Sequence, residues 1–127
     1  MKPRKIKEGI HWVGAIDWDR ELFDSIIPLP EGTTYNAYLV QGNEKTALID
    51  TVDPSMADVF FRSLDSLDVE IDYIITNHAE QDHSGTLPKV KALYPESSVV
   101  CTEKCKTMLI DLGLAKSNEI LVVEDGE

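Results

Sequence analysis

The chain has 127 residues, enough for one domain with a hydrophobic core but too few for two. Its 23 acidic side chains against 12 basic ones give a formal charge of -11, which disfavours nucleic-acid binding because phosphate backbones are repelled. No apolar run reaches the roughly 20 residues of a membrane span, and no apolar segment follows the basic start as in a signal peptide. These features predict a cytoplasmic protein with no nucleic-acid or membrane partner.

The first third of the chain is predicted to consist of strands. The short basic run MKPRKIK is interpreted as a frayed, solvated terminus. Ile10–Asp17 is rich in β-forming residues and reads as one strand, whereas Pro28 and Pro30 restrict FDSIIPLP to a sheet edge. Two further strands, joined by the Gly-containing hairpin loop QGNEK, are predicted in EGTTYNAYLVQG and NEKTALIDT.

From Asp53 onward, helices are predicted to alternate with strands. Pro54–Ser55 marks a helix start, Ser84 is a candidate N-cap for a second helix, and Gly113 is a natural C-cap for a third. The order predicts a single α/β domain whose later strands are buried by helices. The segments in chain order are helix DPSMADVFFRSLDSL, strand DYIITN, helix SGTLPKVKALY, strand PESSVVCT, helix EKCKTMLIDLGL and strand NEILVVEDGE.

The candidate site is NHAEQDHSG, residues 77–85, which follows the apolar strand. It places two histidines, a glutamate and an aspartate within six positions. If the chain leaves the strand extended, side chains two apart point the same way, and the turn into the next helix brings the second histidine back. Four such ligands supply one imidazole and one carboxylate to each of two ions: His78 with Glu80, and Asp82 with His83.

Two other interpretations of the motif remain open. A solvated polar loop accounts for Glu80, Gln81 and Ser84, although two of the three histidines in the chain lie here. A metal-free acid–base pair of histidine and aspartate leaves the second histidine and Glu80 without a role. The remaining histidine, His11, is interpreted as a surface or packed residue. Cys101 and Cys105 are interpreted as ordinary thiols, because no second Cys or His pair lies near them in the sequence.

The motif His-x-x-x-Asp-His after a buried strand resembles the signature of the metallo-β-lactamase superfamily. Most members have a third histidine two residues after the first, and Glu80 stands there in this chain. NHAEQDHSG therefore resembles the variant found in flavodiiron proteins, which reduce dioxygen to water or nitric oxide to nitrous oxide. The resemblance covers essentially the whole chain and extends to WVGAIDWDRELFD, PEGTTYNAYLV and TALIDT.

This resemblance implies a fold and a site. The fold is the N-terminal half of an αββα sandwich, of α/β (α+β) class, with a mixed sheet and helices on one face. His78 and Glu80 would bind one iron, and Asp82 and His83 the other. The harder carboxylate of Glu80 favours iron over zinc. Asp50, at the end of ALID, resembles a superfamily aspartate that supports the metal loops, although a plain strand-terminating aspartate is the alternative.

The resemblance also predicts that residues 1–127 form a single, incomplete domain. The family's further ligands and its flavodoxin-like domain, which holds flavin mononucleotide (FMN), are not found in this sequence. We therefore expect a truncated chain that is inactive alone and that exposes apolar sheet surface, which makes it oligomeric or aggregation-prone. In the full-length relative, a rubredoxin-like or other small donor would supply electrons.

Two alternatives to the oxidoreductase follow from the same residues. A metal-dependent hydrolase of the superfamily would use metal-bound hydroxide, although Glu80 in place of histidine disfavours it. A fragment that binds metal weakly or not at all is the other alternative.

Overall fold

The computed structural model describes residues 1–127, which form eleven strands, four α-helices and two short 3₁₀ helices. The strands are β1 (Arg4–Lys7), β2 (Ile10–Trp12), β3 (Ala15–Asp17), β4 (Leu22–Phe23), β5 (Ile27–Pro28), β6 (Thr33–Tyr35), β7 (Tyr38–Gln41), β8 (Thr46–Ile49), β9 (Tyr73–Ile75), β10 (Ser98–Cys101) and β11 (Ile120–Val122). The helices are α1 (Ala57–Asp65), α2 (Gln81–Ser84), α3 (Leu87–Leu93) and α4 (Glu103–Asp111), with 3₁₀ helices at Pro54–Met56 and Ser117–Glu119.

Seven of the strands form one mixed sheet in the order β1-β2-β7-β8-β9-β10-β11. The strands from β8 to β11 are parallel, and the others pair antiparallel. Each parallel connection passes through a helix and moves one strand in the same direction. Because such crossovers are right-handed, all of these helices lie on the same face of the sheet. The predicted fold class, a mixed sheet with helices on one face, is confirmed.

The core lies between this face of the sheet and the helices. Leu39, Leu48, Ile74 and Val99 are paired across four neighbouring strands, and all four are fully buried. They belong to one cluster with side chains from the helices, among them Phe60, Leu64, Leu87, Val90 and Leu109. Alternation along each strand sends every second side chain to this face. The short apolar strand Tyr73–Ile75 lies inside the sheet, between β8 and β10, and directly precedes the motif.

The opposite face of the sheet carries a second apolar row. Tyr38, Ile49, Ile75 and Val100 are directly paired across four strands and are only partly buried, and Leu121, paired with Val100 on the edge strand, is 50% exposed. A sheet with apolar side chains on both faces is suited to a layer on each side. The expected exposure of apolar sheet surface is therefore present on this face.

The prediction of a frayed N-terminus is wrong. Arg4–Lys7 forms the edge strand β1, antiparallel to β2, and the Arg4 guanidinium lies 5.4 Å from the Trp12 ring centroid. Cross-strand pairing and this cation–π contact hold a segment that has no apolar signal of its own. Its charged, exposed side chains also discourage further strand addition at that edge.

The predicted single strand Ile10–Asp17 is divided in two. β2 belongs to the large sheet, whereas β3 pairs with β6 in a separate two-stranded sheet. Gly14 lies at the break, where an added Cβ would be 2.0 Å from the Tyr35 carbonyl oxygen. The close approach of these two backbones requires glycine and lets the chain change sheets.

The predicted helix ends are partly correct. Gly113 follows α4 with a φ of +70°, as a C-terminal glycine should. Ser84, however, is the last residue of α2, and α3 starts after Thr86, so the predicted N-cap is wrong. The Ser84 hydroxyl donates instead to the carbonyl oxygens of Ala79 and Glu80, which closes the motif turn. No helix has the length and hydropathy needed to cross a bilayer.

Candidate metal centre

The motif at residues 77–85 emerges from β9 at the carboxyl end of the parallel strands, where α/β folds place their sites. The predicted extended course is wrong beyond Glu80, because α2 begins at Gln81. Glu80 has an extended backbone, and its carbonyl accepts hydrogen bonds from the amides of His83 and Ser84. Asp82 and His83 therefore stand next to each other in one helical turn.

The two imidazoles of the motif lie face to face. The rings of His78 and His83 are 5.2 Å apart between centroids and inclined by 16°. Nδ1 of His78 accepts the amide proton of Glu80 at 3.0 Å, and Nδ1 of His83 lies 3.1 Å from Oδ2 of Asp50. Because both Nδ1 atoms are engaged within the protein, the Nε2 atoms are the nitrogens left for an outside ligand.

Each Nε2 atom has a carboxylate beside it. Nε2 of His83 is 3.4 Å from Oδ2 of Asp82, and Nε2 of His78 is 3.9 Å from Oε1 of Glu80. Two donors held about 2.1 Å from one ion at tetrahedral or octahedral angles are separated by about 3.0–3.4 Å. The Asp82–His83 pair has this spacing at 3.4 Å, whereas the half-exposed His78 and Glu80 side chains, at 3.9 Å, are about 0.5 Å too far apart.

The arrangement places one imidazole nitrogen near one carboxylate oxygen in two separate pairs. No group of three or more His, Cys, Asp or Glu side chains converges in a way that could hold a metal. Imidazole nitrogen and carboxylate oxygen suit iron, manganese or zinc. The residues present therefore fit a metal pair in donor type and in pairing, and they leave most of each coordination sphere to other ligands.

Asp50 connects strand β8 to the motif. Its carboxylate is buried and accepts hydrogen bonds from the Asn77 amide at 2.8 Å and the Asn77 side chain at 3.3 Å, besides its contact with His83. The Asp50 backbone has a φ of +57°, a region that aspartate and asparagine tolerate better than most residues. Three contacts to both ends of the motif are more than a strand-terminating aspartate requires.

Sequence reasoning did not identify Asn77 and Thr51 as parts of this site. Thr51 donates twice to the His83 carbonyl, from its amide at 2.7 Å and from its hydroxyl at 2.9 Å. In the sequence, only their positions distinguish them, since Asn77 is the first residue of the motif and Thr51 follows Asp50. Position alone does not predict which atoms form hydrogen bonds in the folded chain.

A cavity of about 750 Å³ opens beside the motif. Its walls come from the β4–β5 hairpin, the loop after β8 and the end of α4, and Glu80 and Asp82 line it while the two imidazoles do not. Glu80 and Asp82 therefore border open space on one side of the motif. The lining residues are Arg20, Leu22, Phe23, Asp24, Ser25, Asp53, Pro54, Ala79, Glu80, Gln81, Asp82, Gly85, Leu112 and Leu114.

The remaining histidine and the cysteines lie outside the donor set. His11 is a partly buried residue of β2. Cys101 and Cys105 are free and buried, as predicted, and Cys105 lies 3.7 Å from the Thr76 carbonyl that precedes the motif. Burial raises the pKa of Cys101 to about 12 and also raises that of Cys105, so both thiols stay protonated near neutral pH.

The comparisons with known proteins agree with this geometry. Residues 31–119 match the family model of the metallo-beta-lactamase superfamily, and the chain belongs to that superfamily. Within it, the chain corresponds to the N-terminal part of the flavodiiron proteins. A coenzyme F420H(2) oxidase from Methanocaldococcus jannaschii is 44% identical in an alignment of 105 positions, which covers 78% of this chain and 25% of that protein.

Two further relatives support the same placement. A nitric oxide reductase from Moorella thermoacetica is 40% identical over 106 residues, covering 81% of this chain and 26% of that protein. The structure of rubredoxin oxygen:oxidoreductase from Desulfovibrio gigas superimposes with a TM-score of 0.92 at 34% identity, covering 99% of this chain and 32% of that one. The chain thus spans about a quarter of the length of the curated relatives it matches.

Proposed function

We propose that this chain is the N-terminal diiron-binding part of a flavodiiron oxidoreductase that reduces dioxygen to water, nitric oxide to nitrous oxide, or both. The observation that carries the proposal is the pair of stacked imidazoles, each with its Nδ1 engaged and a carboxylate oxygen within 4 Å of its Nε2. The relatives named as oxidase and nitric oxide reductase support the choice of reaction.

The proposed roles follow the two pairs. His78 and Glu80 bind one iron, Asp82 and His83 bind the other, and Asp50 orients the His83 ring. When bound, the iron pair would pass electrons from the donor to the gas and would supply Lewis acidity. In this proposal the chain selects iron through the Glu80 carboxylate, and it orients the Nε2 atoms of His78 and His83 towards the two ions.

The activity as a whole is assigned to the complete protein. In this proposal, residues 1–127 form a single, incomplete metallo-β-lactamase-like domain, and the partly exposed row with Ile49, Ile75 and Val100 is covered when the other layer is present. The FMN, a rubredoxin-like or other small electron donor, a homo-oligomeric state and a cytoplasmic location belong to the same proposal. The isolated chain is expected to bind iron weakly and to have little activity.

The alternative function is a metal-dependent hydrolase of the superfamily. Membership of the superfamily favours it, and the carboxylate of Glu80 in place of a histidine weighs against it because carboxylates favour iron over zinc. Hydrolysis of an ester or thioester by the zinc-loaded chain would establish this alternative and overturn the first proposal.

Metal titration of the chain tests the proposal. Under anaerobic conditions, calorimetry should show two Fe²⁺ ions bound per chain, and Glu80→Gln together with Asp82→Asn should remove most of this binding. The control is Glu96→Gln, an exposed carboxylate in the turn before β10, which should bind iron as the wild type does. Iron binding that is absent from the wild type, or unchanged in the double variant, would instead identify a chain that does not bind metal through the motif.

A further inference from the structure

Asp53 joins the loop after β8 to the middle of the motif. Its side chain is buried, with 3% of the residue exposed. Oδ1 accepts the amide proton of Ser55 at 2.9 Å, which caps the 3₁₀ helix Pro54–Met56. Oδ2 accepts a hydrogen bond from the Gln81 side chain at 3.2 Å, across 28 residues of sequence. Both carboxylate oxygens are thus used, one locally and one across the fold.

Gln81 stands between the two carboxylates that line the cavity. It separates Glu80, assigned to one iron, from Asp82, assigned to the other, and it is the first residue of α2. Its carbonyl accepts the amide proton of Gly85 at 2.9 Å. An added Cβ on Gly85 would lie 2.4 Å from Cδ of Pro54, so the whole turn abuts the residue that follows Asp53.

Arg20 supplies the opposite charge. Its Nη1 lies 3.7 Å from Oδ2 of Asp53, and its Nε donates to the Leu22 carbonyl at 3.0 Å, where the β4–β5 hairpin begins. A buried carboxylate is costly without hydrogen bonds or a cation, and Asp53 has both. One side chain therefore contacts the cavity wall, the loop after β8 and the motif.

We propose that Asp53 is a positioning residue of the metal centre, which sets the relative placement of Glu80 and Asp82 by holding the Gln81 side chain. The inference rests on the proposed function and adds to it. Rotation of the backbone at residue 81 would move the Asp82 and Glu80 side chains relative to each other. The Asp53 hydrogen bond opposes this rotation from a buried, rigid attachment, and such outer contacts commonly tune a metal site.

The first test measures, in the metal-free chain, how strongly the hydrogen bond between Gln81 and Asp53 holds the motif turn. In Gln81→Met the side-chain length is kept and the hydrogen bond to Asp53 is lost, while Gln81 is exposed and the fold should persist. We expect the amides of Ser84 and Gly85, which close the turn, to exchange hydrogen about three- to tenfold faster by NMR. Gln41→Met, at the end of β7, is the matched control. Exchange at the wild-type rate in Gln81→Met would overturn the inference.

The second test measures Fe²⁺ affinity by anaerobic calorimetry on the full chain. Gln81→Met should weaken binding about tenfold, with the urea unfolding of the metal-free chain nearly unchanged. Asp53→Asn keeps one acceptor oxygen, which can serve Gln81 or Ser55 but not both, so it should retain more affinity than Asp53→Ala, which keeps none. If the wild type binds iron and Gln81→Met binds it with the same affinity, only the positioning role of Asp53 is overturned. A wild type that binds no iron overturns the proposed function and this role with it.

Discussion

Oδ2 of Asp50 lies 3.1 Å from Nδ1 of His83, so a buried carboxylate at the end of β8 occupies one imidazole nitrogen and leaves Nε2 for an outside ligand. The two residues are 33 positions apart in the sequence and meet because β8 and β9 are adjacent and parallel. This contact belongs to a type that both orients a metal-binding histidine and raises its basicity.

Substitution of Asp50 by asparagine should weaken metal binding more than it harms the fold. Asparagine tolerates the positive φ of this position and keeps an acceptor for the Asn77 amide, but it removes the charge that supports His83. We expect Fe²⁺ affinity to fall by about 10–100-fold in anaerobic titration. Asp111→Asn, an exposed residue at the end of α4, is the control, and equal affinity in the two variants would contradict the role of Asp50.

Replacing Glu80 by histidine should change the preferred metal. The substitution exchanges a hard, anionic oxygen for a softer, neutral nitrogen beside Nε2 of His78. After competitive loading with equal Fe²⁺ and Zn²⁺, we expect the bound ratio to move towards zinc by about tenfold, measured by elemental analysis. A ratio equal to that of the wild type would show that Glu80 does not select the metal.

Two leucines of α3 test the packing of the core. Leu87 is fully buried, whereas Leu93 in the same helix is 58% exposed. Leu87→Ala should lower the free energy of unfolding by about 2–5 kcal/mol, because a cavity remains. Leu93→Ala should change it by less than about 0.5 kcal/mol. Urea denaturation followed by circular dichroism measures both, and equal losses would contradict the placement of the core.

Stability should fall in alkaline solution because of the buried thiol of Cys101. Its pKa is raised by burial to about 12 in the folded chain, against about 8.5 when unfolded. The protonated thiol therefore makes its full contribution to the free energy of unfolding below about pH 8.5. This contribution is lost as the pH rises towards 12, because only the unfolded state releases the proton over that range.

Urea unfolding at several pH values measures this dependence. The folded chain should lose stability steadily above about pH 8.5, and Cys101→Ala should lose less over the same range even if it starts from a lower value. Tyr35 adds to the decline only at higher pH, because burial and the Asp17 carboxylate raise its pKa to about 12 from an ordinary value of 10.0. Parallel curves for the two proteins would contradict a neutral, buried Cys101.

Features that depend on residues close together in the chain were predictable from local patterns. Four metal-type donors within six positions, the apolar strand before them and the helical spacing after Asp53 are local patterns, and they predicted the α/β class, the family and the candidate ligands. The Gly113 helix end was also predictable, because a glycine after a helix readily adopts the left-handed conformation.

Contacts between distant segments could not be predicted in this way, because they arise when the sheet is assembled. The pairing of β1 with β2, the change of sheet at Gly14, and the attachment of the motif to Asp50 and Asp53 depend on which strands become neighbours. Hydrogen bonds of this kind produce no repeating pattern in the sequence, since each partner is a single polar residue with many possible roles. The donors of the candidate metal centre are local, whereas their orientation is a property of the folded sheet.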